Sequence, residues 1–120
     1  MYAGQSAIAW QPNLNDTNTK PKGLNMARYV TLIRFTEQGA KNIKKSTGRA
    51  HAFDRLAEKT GVKIVGQYWT MGQYDGVLIV DADTEQHALH MLTELAAGGN
   101  VRTETMQAFI DKEFDAFVQK

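Results

Sequence analysis

The amino-acid sequence predicts one α+β domain preceded by a short N-terminal extension. Two observations support this fold class. Strand-like segments occur four times after residue 28, and two of the gaps between them carry apolar residues at helical spacing. The chain has 120 residues, 42% of them hydrophobic and 22% charged, which suits one globular domain with its own core.

The first strand and the first helix are predicted between residues 29 and 61. Residues 29–35 alternate and are rich in β-branched side chains, which indicates a strand. Thr36 is a candidate N-cap for a long helix that reaches about Lys59, although Gly48 weakens it by about 1 kcal/mol relative to alanine. Gly61 is the predicted stop. The apolar stripe contains Ala40, Ile43, Thr47, Ala50, Phe53, Leu56 and Ala57, and the opposite, solvent-facing side contains Lys41, Lys44, Lys45, Arg49, Arg55 and Lys59.

A hairpin, a second helix and a fourth strand follow. Residues 63–69 and 77–80 are predicted strands, joined by a turn at residues 70–75 in which Gly72 adopts positive φ. Residues 81–84 contain side chains that can cap the N-terminus of a second helix. Gly98 and Gly99 are expected to end this helix, and residues 101–109 are predicted to form a strand. The apolar stripe of the second helix contains Ala88, Met91, Leu92, Leu95 and Ala96, and a short terminal helix contains Ile110, Phe114, Phe117 and Val118.

The resulting order, βαββαβ plus a terminal helix, predicts a ferredoxin-like fold. Right-handed crossovers give a four-stranded antiparallel sheet with both main helices on one face. The uncovered face should carry alternate residues of the strands. We name Thr31, Ile33 and Phe35 with Gln67 and Trp69, or the neighbours of these residues, because the sequence does not fix the parity. A large apolar patch there predicts a homodimer, or a higher homo-oligomer, assembled through that face.

Residues 1–25 differ in composition from residues 26–120, which we predict to be the folded domain. The first segment is polar and holds both prolines, Pro12 and Pro21. It is interpreted as a flexible leader ahead of a natural start at Met26, or as an arm that docks through its apolar residues 7–10. Neither a signal peptide nor a membrane span is recognisable, so a cytoplasmic location is expected.

Composition and motifs exclude several function classes. Lys and Arg number 14 against 13 Asp and Glu, which disfavours nucleic acid and membranes as partners. No cysteine is present, and the only serines, Ser6 and Ser46, lack a nucleophile setting, so hydrolysis by a serine or cysteine nucleophile is excluded. The Gly-rich, Walker and zinc-protease motifs are missing, and no cofactor is predicted.

One stretch of the sequence resembles a known family. Residues 70–75 (TMGQYD), preceded by Gly66 and Tyr68 and followed by residues 99–103 (GNVRT), are similar to the GYD-domain family. The segment at residues 35–39 (FTEQG) also resembles the entry to the first helix of that family. The resemblance covers about residues 26–117. It implies a dimeric α+β barrel of the kind found in bacteria and archaea, and it implies no particular reaction, since the family has no settled activity.

The candidate ligand-binding residues are Tyr68, Tyr74, Asp75 and Arg102. Asp75 lies between the turn and a buried strand, so its carboxylate requires a partner, and the guanidinium of Arg102 is the best candidate. One interpretation is a structural ion pair or a turn-capping aspartate. The other is a cavity between sheet and helices, in which Arg102 holds an anionic or carbonyl oxygen and Asp75 or Tyr74 handles a proton.

No metal site is predicted from the three histidines. His87 and His90 lie near Asp83 and Glu94 on the second helix, but they flank the apolar position Met91, so surface roles are favoured. His51 is interpreted as a residue at the boundary of the first helix stripe, not as a haem ligand.

Three functions are compatible with the sequence. The preferred one is a homo-oligomeric module that binds or senses a small molecule. The second is a cofactor-poor enzyme of the isomerase, decarboxylase or monooxygenase type, which rests on fold-level analogy. The third is a structural assembly protein that uses the open sheet face and the N-terminal arm.

Overall fold

The computed structural model describes residues 26–119. The predicted N-terminal extension therefore lies outside the described residues. A 3₁₀ turn (Ile43–Lys45) separates the first two helices. The strands are β1 (Ala27–Phe35), β2 (Val62–Trp69), β3 (Gly76–Ala82) and β4 (Val101–Ala108), and the helices are α1 (Glu37–Lys41), α2 (Ser46–Lys59), α3 (Glu85–Ala97) and α4 (Asp111–Val118).

The four strands form one antiparallel sheet in the order β2-β3-β1-β4. This is the order of a βαββαβ chain in which each helix connects a central strand to an edge strand. Helices α2 and α3 contact the sheet and each other. The predicted ferredoxin-like α+β class is therefore confirmed, and the terminal helix α4 is present as predicted.

The hydrophobic core lies between the sheet and these two helices. Tyr29 and Ile33 of β1, with Phe53 of α2, pack against its edge. Burial of this apolar surface is the main source of stability, at roughly 25 cal/mol per Å² removed from water. The buried members are Ala57, Val62, Leu78, Val80, Ala82, Ala88 and Met91.

The helix-facing side of the sheet carries the odd-numbered residues of β1. Thr31 is fully buried there and its hydroxyl pairs with that of Thr105 at 2.8 Å. The residues that we named for the uncovered face, Thr31, Ile33 and Phe35, therefore face the helices, and the alternative parity holds. Successive side chains of a strand point to opposite faces, so Val30 and Leu32 face outward.

A β-bulge in β2 decides which of its side chains face the helices. The register of β2 with β3 shifts between Ile64 and Gly66, which leaves Val65 as an extra residue. Beyond the bulge the helix-facing parity changes from even to odd, so Gln67 reaches Asp54 of α2 by a side-chain hydrogen bond. Trp69 lies on the same side, where its indole donates a hydrogen bond to Ser46.

The first helical region is broken, where the sequence predicts one long helix. The break lies at Asn42 and the 3₁₀ turn, whereas Gly48 is inside α2 with open space around it. Helix α1 is fixed to the start of β4, because the Thr36 amide donates to the Asn100 carbonyl at 3.0 Å. Gly39 packs against the same backbone so closely that a Cβ would lie 1.9 Å from the Asn100 oxygen. Since α2 instead packs along β2, one straight helix cannot satisfy both contacts.

The face of the sheet opposite α2 and α3, here called the open face, has apolar rows between charged rows. Val30 pairs across the sheet with Ile79 and Met106, and Leu32 pairs with Val77. Charged residues lie on either side of this apolar centre. They are Arg28, Lys63 and Asp81 toward one end and Arg34, Arg102 and Glu104 toward the other.

Helix α4 follows β4 and carries exposed aromatic residues. Its N-terminus is capped by the Glu113 carboxylate, which accepts the Ile110 amide at 2.8 Å. Phe114 is 60% exposed and Phe117 is 54% exposed, and the Phe117 ring makes an edge-to-face contact with Phe109. None of the helices within residues 26–119 is long and apolar enough to cross a lipid bilayer.

Candidate ligand cavity

A cavity of about 330 Å³ lies between the helix-facing side of the sheet and helices α2 and α3. This volume is within the range of small-molecule sites. Strands, both helices and the loop before β4 all contribute to its wall. Its apolar wall includes Ile33, Phe53, Leu56, Leu78, Leu95 and Val101.

Asp75 lines this cavity and is fixed by the backbone of β1. Its Oδ2 accepts the Phe35 amide at 2.8 Å, and its own amide donates to the Ile33 carbonyl at 2.7 Å. Its carbonyl accepts the Thr70 amide at 2.9 Å. The carboxylate therefore closes the β2–β3 turn onto the end of β1, which is the turn-capping interpretation. Gly72 at the tip has φ of 121°, as predicted.

The predicted ion pair between Asp75 and Arg102 does not form. Arg102 is exposed and pairs in register with Arg34, on the open face, whereas its neighbour Val101 lines the cavity. Adjacent residues of a strand point to opposite faces, so Arg102 cannot reach Asp75 through the sheet.

Tyr74 also belongs to the open face. Its hydroxyl donates to Glu104 Oε1 at 2.7 Å, and the guanidinium carbon of Arg34 lies 4.7 Å from the centre of its ring. The hydrogen bond to Glu104 raises the pKa of the Tyr74 hydroxyl above its usual value, because losing the proton would break that bond. Arg34, Tyr74 and Glu104 form a polar cluster that is separate from the cavity.

Tyr68 is the fourth predicted site residue and is shared between the two faces. It contributes to the cavity wall, but its register partner is Val77 and its ring lies against Gly66. The structure thus brings Tyr68 and Asp75 to the cavity and places Tyr74 and Arg102 on the other side of the sheet.

Arg49 is a cavity residue that the sequence pattern did not identify. We predicted it on the solvent-facing side of the helix, but it is half-buried and lines the cavity. The prediction was wrong because the break at Asn42 changes the phase of α2 relative to α1. Nearby, the Trp69 indole donates to Ser46 Oγ at 2.8 Å, and both residues line the cavity.

A buried carboxylate–arginine pair does exist, but it is formed by Asp81 and Arg28. Arg28 Nε and Nη2 donate to the two carboxylate oxygens at 2.9 and 3.0 Å, and Asp81 is 2% exposed. The bonds to Asp81 raise the pKa of the Arg28 guanidinium. The register of β1 with β3 places these residues directly opposite each other. A strand register predicted from the sequence would therefore have identified the pair.

The histidines form no metal cluster within residues 26–119. His87 Nδ1 lies 2.6 Å from Asp83 Oδ1, one turn away on the same helix end. No group of three or more His, Cys, Asp and Glu side chains in the described part of the chain is arranged to hold a metal ion.

By its architecture, the protein is a ferredoxin-like α+β domain with a mostly apolar cavity between its sheet and its helices. The chain belongs to the GYD family, because a family model described as GYD domain matches residues 29–118. The family resemblance of the sequence is thereby confirmed.

Two individual proteins are similar to this chain. A protein of Thermus thermophilus called glutamine synthetase and cystathionine beta-lyase binding protein is 31% identical over 84 residues, which cover 69% of this chain and 88% of that protein. The crystal structure of MtbAldR matches with a TM-score of 0.53 at 13% identity. That match covers 90% of this chain and spans 65% of the MtbAldR chain, and it supports the fold alone.

Proposed function

We propose that this protein is a homo-oligomeric module that binds a small molecule in the cavity between the sheet and helices α2 and α3. The observation that carries the proposal is the cavity itself: about 330 Å³, with a mostly apolar wall and a few polar groups, among them Ser46, Arg49 and Asp75. Pockets of this composition are typical of small-molecule sites, in which apolar walls give affinity and a few polar groups fix orientation.

Binding is favoured over catalysis by the state of Asp75. A general base needs a carboxylate free to take a proton from a substrate. Oδ2 of Asp75 is instead held by the Phe35 amide, which fixes the carboxylate in its turn-closing position. Tyr74 and Arg102, the other groups of the enzyme hypothesis, lie across the sheet. Tyr68 and Asp75 are therefore retained as candidate ligand contacts.

Self-association is proposed through the open face. Its two central rows carry Val30, Leu32, Val77 and Ile79, all only half-buried, and Met106 is 48% exposed. An apolar patch flanked by charges of both signs suits a second copy of the same surface, because apolar rows then cover each other and opposite charges meet. We further propose residues 26–120 as the domain, residues 1–25 as an extension, and the cytoplasm as the location.

Native mass spectrometry of the freshly purified full chain tests the ligand proposal. We expect an extra small mass on each subunit of an oligomer. Ala50 lines the cavity, and Ala50→Phe should abolish the extra mass because the ring occupies the space. Ala97→Phe is the matched control, because Ala97 is exposed at the end of α3 and does not line the cavity.

Small-molecule libraries extend the same test to a chain that loses its ligand during purification. Thermal stabilisation by a library compound, seen with wild type and Ala97→Phe but not with Ala50→Phe, supports the cavity. If Ala50→Phe is folded and responds as wild type does to every compound, the cavity is not a binding site.

A second candidate function is a protein-binding adaptor. The observation that favours it is the name of the Thermus relative, which describes a binding protein for two enzymes. Helix α4 supplies a suitable surface, since aromatic residues at half exposure or more are the usual anchors of interfaces.

Biolayer interferometry with purified glutamine synthetase and cystathionine beta-lyase tests the adaptor. Binding by wild type that is lost in Phe114→Ser, and retained in Lys112→Ser on the same helix, would favour the adaptor. No binding of either enzyme by the full chain would exclude these two partners.

A further inference from the structure

The strongest unexplained feature of the cavity is the guanidinium of Arg49. Its Nη1 donates to the Asn42 carbonyl at 2.9 Å. Its Nη2 is buried and has no hydrogen-bond partner within residues 26–119. A buried charged donor without a partner loses its hydration and receives nothing in exchange, so native structures rarely keep one without a reason. Because the side chain of Arg49 also lines the cavity, we take a ligand atom there as the candidate partner of this nitrogen.

The broken helix holds this guanidinium in place. Asn42 ends α1, and both its amide and its side-chain nitrogen donate to the Gln38 carbonyl at 3.1 Å. The Asn42 carbonyl is thereby fixed, and it accepts Nη1 of Arg49 from the first turn of α2. Nη1 of the guanidinium is bonded to the backbone, and Nη2 has no hydrogen-bond partner in the described residues. A preorganised arginine of this kind loses little side-chain entropy when it binds an anion.

The acidic residues of the cavity do not satisfy Arg49. Asp75 and Glu94 both line the wall, but no ion pair joins either of them to Arg49 in the described part of the chain. Oδ2 of Asp75 is engaged by the Phe35 amide, and Glu94 is exposed on α3.

These charges also select the kind of anion. A single arginine with one unpaired nitrogen, in a wall with two carboxylates, suits an anion of one negative charge. A phosphate dianion would meet about twice the repulsion from Asp75 and Glu94 that a single charge meets, and it would find too few donors. The rest of the wall is mostly apolar, so the body of the ligand should be apolar too.

We propose that the cavity binds a small carboxylate with an apolar body, whose carboxylate accepts a hydrogen bond from Nη2 of Arg49. This inference rests on the proposed function and specifies the chemical class of its ligand. The apolar wall binds the body of the ligand, and Arg49 distinguishes the acid from its neutral analogues.

Isothermal titration calorimetry of the full chain tests the inference with three acids: hexanoate, phenylacetate and phenylbutyrate, each beside its amide. We expect the acids to bind at least about tenfold more tightly than the amides. Arg49→Met should weaken acid binding by about tenfold or more and amide binding less, because the bond from the guanidinium to a neutral carbonyl is weaker than that to a carboxylate. Arg55→Met is the matched control, because Arg55 lies on the same helix, is exposed and does not line the cavity.

Arg49→Lys covers the case in which Arg49→Met does not fold. Lysine keeps a donor for the Asn42 carbonyl but has no second guanidinium edge, so it should fold and still lose most of the preference for acids over amides. Circular dichroism and the melting temperature confirm that each variant is folded.

The outcomes separate this inference from the proposed function. Equal binding of acids and amides, with no effect of Arg49→Met, overturns the carboxylate inference and leaves the cavity as a site for neutral ligands. Competition by inorganic phosphate that depends on Arg49 overturns the choice of a carboxylate. Binding of no acid overturns the inference, and the Ala50→Phe experiment then decides the proposed function on its own.

Discussion

The two faces of the sheet use alternate residues of the same strands in different ways. On the helix-facing side, Leu78, Val80 and Ala82 are 0–3% exposed and pack beneath α2 and α3. On the open face, their neighbours Val77 and Ile79 are only half-buried and are flanked by charged rows. Helices of the same chain thus cover the first face, whereas the second has apolar surface that residues 26–119 leave uncovered.

The largest expected effect comes from the buried ion pair at the end of the open face. Arg28→Leu should lower the free energy of unfolding by about 3–5 kcal/mol at neutral pH, because the buried Asp81 carboxylate loses its partner. Urea denaturation measures the loss. Arg34→Leu is the control, since Arg34 is exposed on the same strand and face, and we expect a change below about 1 kcal/mol. A loss in Arg28→Leu no larger than that in Arg34→Leu would contradict the buried-pair account.

The next effect compares one leucine on each face. Leu78→Ala should lower the free energy of unfolding by about 2–5 kcal/mol at every protein concentration, because it leaves a cavity in the core of one chain. Leu32→Ala, on the open face, should show a smaller loss when the protein is dilute. Equal losses at low concentration would mean that the two faces are equally complete within one chain.

Self-association should respond to charge on the open face. Leu32→Glu places a carboxylate in the apolar centre and should shift the sedimentation coefficient toward that of a monomer, with the far-ultraviolet circular dichroism unchanged. Glu37→Lys, an exposed charge change on α1, is the control and should leave the sedimentation unchanged. A wild-type protein that sediments as a monomer at every concentration would disprove the proposed oligomer.

The smallest effect concerns Tyr74. The hydrogen bond to Glu104 raises its pKa, so its stabilising contribution is complete below the unfolded tyrosine pKa and is lost as the pH rises through the folded value. Near-ultraviolet absorbance should show Tyr74 ionising later than an exposed tyrosine, alongside Tyr29, whose pKa burial raises. Tyr74→Phe should remove one late-ionising tyrosine, and Glu104→Gln should make Tyr74 ionise earlier. A late step that Glu104→Gln leaves unchanged would rule out this hydrogen bond.

The candidate site was only partly predictable from the sequence. Asp75 was identified because an acidic residue between a turn and a buried strand needs a partner, and the structure supplies one in the Phe35 amide. Arg102 has the chemistry of a carboxylate partner, but pairing across the sheet depends on strand parity. Helical periodicity continued through Asn42 predicts Arg49 on the solvent side, because no local pattern reveals the break there.

The order of elements, the ferredoxin-like class and most of the core residues are predictable from the amino-acid sequence alone. These follow from local signals: alternation in strands, apolar stripes in helices, and turn residues such as Gly72. The tertiary structure decided the parity of the strands, the extra residue at Val65 and the phase of α2. These depend on register and on contacts such as that of Gly39 with Asn100, which join residues distant in the chain and leave no local pattern.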